Sequence, residues 1–159
     1  MINLNYKKLL INVIVVFIIF FIDRVSKIYI LKIAELDGIV DIYLNPYLNF
    51  YLIWNKGIAF GLFSFDENLI YNLITTIIAT IVFVIIVLVI KSKGIIRYSL
   101  ISVLGGSLGN LYDRLYYSAV PDFIDFHIGE FHWFVFNLAD IFITLGVVTF
   151  IMKGFFEKN

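Results

Sequence analysis

The sequence predicts an all-α membrane protein, a four-transmembrane-helix bundle with a small β-rich outer segment between helices 1 and 2. Residues 1–159 form a single polytopic membrane domain on this reading. Three observations carry it. The chain of 159 residues is 62% hydrophobic and only 15% charged, with a mean hydropathy of +0.98. Soluble domains are roughly half apolar and a quarter charged, so most of this surface needs lipid as its solvent. Apolar runs recur four times along the chain. The basic residues are segregated between the ends of those runs.

The first helix is expected over about 6–32, carrying Asp23, Arg24, Ser26 and Lys27 near its far end. Its run at 9–22 resembles a signal-peptide core, but no small-x-small cleavage site precedes Asp23, so a retained helix is expected. The segment 33–68 reads differently. Short β-branched and aromatic runs at 39–43 and 48–54 are broken by Asn45-Pro46 and Gly57, which predicts short strands on the outer surface. Trp54, Phe60, Phe63 and Phe65 suit a membrane interface. The second helix, about 69–90, is 22 residues without a charge, against the roughly 20 needed to cross the hydrocarbon. The third is expected over about 95–114 and the fourth over about 134–152.

Four spans place both termini on one side. Lys7, Lys8, Lys91, Lys93, Arg97, Lys153 and Lys158 then share that side with a single acid, Glu157; the other 11 acids and five basic residues lie opposite. The positive-inside rule makes the first side cytoplasmic. Depth follows from the helical rise of about 1.5 Å per residue. Asp140, Asn110 and Asp23 all come out roughly 20 Å above the cytoplasmic edge. Such groups cost several kcal/mol in lipid unless paired or hydrated, so a polar cavity open to the outside is expected. Helical spacing gathers them further: Asn137 with Asp140, Asn110 with Asp113 and Arg114, and Asp23 with Lys27. Gly105, Gly106 and Gly109 leave a smooth flank on the third helix for close packing.

These residues resemble a known family. Asp23-Arg24-Val25-Ser26-Lys27 is similar to the D-x-x-[ST]-K end of the first helix in lipoprotein signal peptidases. Asn55-Lys56-Gly57-Ile58-Ala59-Phe60-Gly61 resembles their N-x-G-x-A-F-G loop. Residues 105–114, 120–125 and 136–140 resemble G-G-x-x-G-N-x-x-D-R, V-x-D-F-x-D and F-N-x-A-D. Five motifs in family order span most of the chain. Two departures are visible: Arg24 where Gln is usual, and Pro121 directly before the aspartate. The resemblance implies a bacterial inner-membrane aspartic endopeptidase with Asp122 and Asp140 as its catalytic pair. It also implies Asn55, Gly57, Asn110, Arg114 and Asn137 as substrate-binding or site-lining residues, with Asp23, Lys27, Asp113 and Gly106 as structural support. Its partners would be diacylglyceryl-modified prolipoproteins and membrane lipid, cut on the amino side of the lipidated cysteine.

The chemistry suits the residue types. Two close carboxylates cannot both ionise cheaply, so one keeps a proton while the other activates water. Asp122 is expected in the outer loop after the third helix, folded onto Asp140. Asp125 reads as a pairing acid. The absence of cysteine excludes disulfides and thiolate chemistry, and zero net charge argues against nucleic acid. No cofactor and no metal are expected: His127 and His132, read as loop residues beside Glu130, fall short of a zinc ligand set. The rival reading is a small membrane transporter or a non-catalytic lipoprotein-binding factor. Conduction needs polar groups through the whole membrane, but the inner runs 9–22, 81–90 and 144–152 offer only Asn12, Thr144 and Thr149.

Overall fold

The computed structural model describes residues 6–57 and 68–156. Phe60, Phe63 and Phe65, and the Ile58–Gly61 half of the second motif, lie outside the described residues. Among the described residues there are four helices and four strands. In chain order they are α1 (Tyr6–Asp37), β1 (Asp41–Asn45), β2 (Leu48–Asn55), α2 (Asn68–Lys91), α3 (Gly94–Tyr117), β3 (Val120–Ile128), β4 (Phe131–Phe136) and α4 (Leu138–Phe156). Three helices, α1, α2 and α4, are long and apolar enough to cross a membrane. The α3 helix is less apolar because it carries Arg97, Asn110, Asp113 and Arg114.

The strands form one antiparallel sheet in the order β1-β2-β3-β4. Only half of it comes from the segment between α1 and α2. The rest corrects the sequence reading, which left Asp122 in a loop and began the fourth helix near 134. Residues 131–136 instead pair with β3, and α4 begins at Leu138. Pro121 hid β3, because proline normally argues against a central strand. Here it sits second in the strand opposite Trp54, where the ladder tolerates one missing donor. The β1–β2 turn is set by Asn45, whose Oδ1 accepts the Tyr47 N–H at 2.9 Å. In the β3–β4 hairpin, Gly129 takes φ +58, a value that favours glycine at a two-residue turn.

Two apolar cores hold these parts. Val82, Ile85 and Val89 of α2 pack on Leu100, Ile101 and Leu104 of α3, with Val15 and Val16 of α1 alongside. Ile30 of α1 clusters with Val40 and with Phe123 and Ile124 of β3, with Phe50 edge-on to Phe123. The glycines decide how closely the helices approach. A β-carbon on Gly106 would collide with the Ala139 carbonyl and Ile143. One on Gly109 would meet the Asp23 carboxylate at 2.5 Å, and one on Gly105 would meet Ile19 at 2.7 Å. The smooth flank thus joins α3 to α1 and α4, the close approach small residues permit in membranes.

Candidate active site

Asn137 is the local organiser. It precedes α4, and its Oδ1 accepts the Asp140 N–H at 3.1 Å while Asp140 Oδ2 accepts the Asn137 N–H at 3.1 Å. This reciprocal cap satisfies two helix-end donors, as a Ser-x-x-Glu box does. It also fixes the Asp140 carboxylate in the first turn, where the helix dipole favours negative charge. The spacing of Asn137 and Asp140 therefore reflects a cap as well as a shared helix face. The remaining oxygen of Asp140, Oδ1, accepts from Asn110 Nδ2 at 2.9 Å.

Asn137 also reaches the other carboxylate. Its Nδ2 donates to Asp122 Oδ1 at 2.5 Å, and Asn55 Nδ2 donates to Asp122 Oδ2 at 2.8 Å. Asn55 is itself oriented by the Gly57 N–H, which its Oδ1 accepts at 2.8 Å. Asp122 is 3% exposed and Asn137 fully buried. Burial, then the neighbouring charge of Asp140, pushes the Asp122 carboxyl up to about 7, against the opposing donors Asn55 and Asn137. The sheet supplies Asp122 and Asn55, while the helices supply Asp140 and Asn110. One residue, Asn137, bonds both carboxylates: that of Asp122 through its side chain and that of Asp140 through its backbone N–H.

Beneath the pair lies a buried ionic cluster. Lys27 Nζ, fully buried, donates to Asp23 Oδ2 at 3.0 Å, Asn110 Oδ1 at 2.8 Å and Asp113 Oδ2 at 2.7 Å. Arg24 pairs with Asp113 at 2.6 Å and stands 4.9 Å over the Tyr112 ring. The unusual arginine thus gains a carboxylate and an aromatic face. Asp23 Oδ1 accepts the Ala139 N–H at 3.0 Å, tying α1 to the start of α4. Asp23 and Lys27 are therefore deeper in the assembly than a helix-end pair: Lys27 holds Asn110, and Asn110 holds Asp140.

Arg114 does not meet either carboxylate of the pair. Its guanidinium donates to the Gly57 carbonyl and lies 5.6 Å from the centre of the Tyr71 ring. Tyr71 in turn donates its hydroxyl to the Arg114 carbonyl at 2.9 Å. Arg114 anchors the loop end beside Asn55, and nothing in the residue pattern selects Tyr71 as its partner. Asp125 faces His132 at 2.9 Å, away from the pair. Gly106 lies at the α3–α4 contact, against Ala139 and Ile143.

The family model described as signal peptidase (SPase) II matches residues 15–156. The chain is 52% identical to the lipoprotein signal peptidase of Pelagibacter ubique over 157 residues, 99% of this chain and 95% of that one. It is 38% identical to the lipoprotein signal peptidase of Aquifex aeolicus, over 88% of this chain and 83% of that one. Among solved structures, a bacterial membrane enzyme determined by the in meso method superposes with a TM-score of 0.74 at 26% identity, covering 93% of this chain and 89% of that one.

Proposed function

This chain belongs to the signal peptidase II family, and from that premise we propose that Asp122 and Asp140 hydrolyse the peptide bond that joins a signal peptide to a diacylglyceryl-modified cysteine. The chain is thus a protease of the signal peptidase II type, acting on prolipoproteins. The observation that carries the assignment of the pair is Asn137, bonded to Asp122 through its side chain and to Asp140 through its backbone. We assign the shared proton to Asp122, because Asp140 stands in the first turn of α4, where the helix dipole favours its charged form. Asp140 takes a proton from the attacking water, and Asp122 donates toward the substrate carbonyl and leaving nitrogen. The amides of Asn55, Asn110 and Asn137 keep both carboxylates turned toward the reacting bond.

The test is direct incubation with a purified precursor, lipidated or not, read by gel mobility. The lipidated form should be shortened and the unlipidated form cut poorly. Binding of the lipidated precursor without any cleavage would identify a non-catalytic lipoprotein-binding factor instead.

The same reading sets a pH dependence. Below about 7 Asp122 keeps its proton, and above it the proton is lost. The kcat/KM for a lipidated peptide should therefore fall on the alkaline side, approaching about tenfold per pH unit. A flat profile between pH 6 and 9 would contradict the assigned acid.

We read α3 as a fourth span alongside the three apolar helices. Its ionisable residues Asp113 and Arg114 are turned inward and buried, and its glycines pack on α1 and α4. Four spans and the charge asymmetry put both termini and the 91–94 turn in the cytoplasm of a bacterial inner membrane, with the aspartates near the outer face. A tag at Asn159 should resist protease added to intact spheroplasts, whereas a tag in the β3–β4 turn should be cut.

A further inference from the structure

The β3–β4 hairpin gathers three metal-ligating side chains that the peptidase chemistry does not use. His127 and His132 are direct cross-strand partners, and their rings lie 4.9 Å apart, inclined by 22°. Asp125 stands two residues before His127 on the same strand, so alternation gives it the same face and sends Asp122 to the other. Both histidines present Nδ1 to one carboxylate oxygen: His132 at 2.9 Å and His127 at 3.7 Å from Asp125 Oδ2. One ligand atom from each of the three residues lies within 4.8 Å of the others.

We propose that Asp125, His127 and His132 form a binding site for a divalent transition-metal ion of the zinc class. The first argument is spacing. Zinc bound at about 2.0–2.1 Å by nitrogen and oxygen donors in a tetrahedron sets those donors about 3.3 Å apart. The two measured separations from Asp125, 2.9 and 3.7 Å, fall on either side of that value, so small side-chain rotations complete the geometry. The second argument is an unsatisfied atom. The Nδ1 of His127 is buried without a hydrogen-bond partner, an arrangement that costs free energy unless something occupies it. The third is access. Asp125 and His132 line a cavity of about 370 Å³ together with Asn49, Tyr51 and Asp41. The His132 side chain is 52% exposed, so an ion has an entry path and room for a water as fourth ligand. Asn49 Oδ1, buried and also without a partner, can accept a hydrogen bond from that water. Two imidazoles and a carboxylate form a donor set that suits zinc, nickel or copper over magnesium or calcium.

In the sequence the two histidines fall short of a zinc ligand set; the strand pairing adds Asp125 as the third ligand. Pairing in a hairpin is what brings five-residue neighbours face to face. The bound ion would tie β3 to β4 without entering the proteolytic step, because Asp122 lies on the other face of β3.

The test is a zinc titration of the full chain, purified without a histidine tag, stripped of metal and held in detergent micelles. Calorimetry should give one Zn²⁺ per chain. His132→Ala and His127→Ala should each weaken that binding by at least about tenfold, with helix content unchanged by circular dichroism. Asp125→Asn should weaken it as well. If His127→Ala fails to fold, His132→Ala decides alone, since that side chain is half exposed. No saturable zinc binding by the unmodified chain, or binding unchanged in His132→Ala, would overturn the proposal.

Discussion

Replacing Asp140 by asparagine should reduce cleavage of a lipidated precursor by roughly a thousandfold or more, with the protein still folded in the membrane. Asparagine keeps the size of the side chain and its Oδ1 can still accept a hydrogen bond, so the reciprocal cap with Asn137 and the contact with Asn110 survive in part. What it cannot do is take a proton from water and return it. Asp122→Asn should be equally severe, for the complementary reason that the acid is lost. In the proposed mechanism the two carboxylates act as a unit, so the double variant should be scarcely slower than either single one. Asp125→Asn is the control: its carboxylate faces His132 and not the pair, so any loss should be partial. Near-normal turnover by Asp140→Asn in a single-turnover gel assay would dismiss this pair.

Asp122→Asn carries a second expectation of opposite sign. The folded chain holds a proton on Asp122 up to about pH 7, whereas an unfolded chain releases it near 3.8. Between those values the folded state binds more protons than the unfolded one, so this group's contribution to stability falls as pH rises. Asparagine is neutral throughout and escapes that loss. The melting temperature of Asp122→Asn should therefore fall less between pH 5 and 8 than that of its parent, whatever is lost at every pH where its amide N–H faces the Asn55 or Asn137 donor. On the proposed mechanism Asp122 exchanges stability for function.

Much of this was legible before the structure because lipid imposes severe rules. A 22-residue run without a charge has few alternatives to a helix, and polar residues at equal depths must find one another. Rise per residue alone brought Asp23, Asn110 and Asp140 to one layer, and in the structure Lys27 and Asn110 link them. The second half of the sheet was hidden for equally physical reasons. Residues 120–128 combine a proline with two acids in an otherwise apolar run, so neither strand alternation nor proline placement selects them. Their pairing partner, β2, is more than 60 residues away, and register at that distance leaves no local signature. The roles of Arg24 and Tyr71 were hidden because they depend on contacts between distant elements, and the His127–His132 pair was hidden with the β3–β4 hairpin.

The largest effect on stability should come from Lys27→Met. Four buried charges balance one another: Asp23 and Asp113 against Arg24 and Lys27. Methionine fills a similar volume but removes one cation, leaving the cluster with a net negative charge in a region Lys27, Asp23 and Asp113 share at zero exposure. Breaking a buried pair in this way costs about 3–5 kcal/mol, a large part of the roughly 5–15 kcal/mol that holds most folds together. It also frees Asn110, and through it the grip on Asp140. The variant should accumulate poorly, melt well below its parent and cleave little. Charge balance as the cause makes a specific rescue available. In Lys27→Met combined with Asp23→Asn, the Arg24–Asp113 pair at 2.6 Å remains as one cation and one anion. Asparagine at 23 can still accept the Ala139 N–H. The double variant should therefore recover much of the melting temperature lost by Lys27→Met, a coupling that two independent packing defects would not show. Recovery of stability without recovery of full activity is the expected pattern, because neutralising the cluster restores the fold while Asn110 still lacks its lysine. A double variant less stable than Lys27→Met alone would mean that the cluster acts through shape and hydrogen bonding, not through its charge.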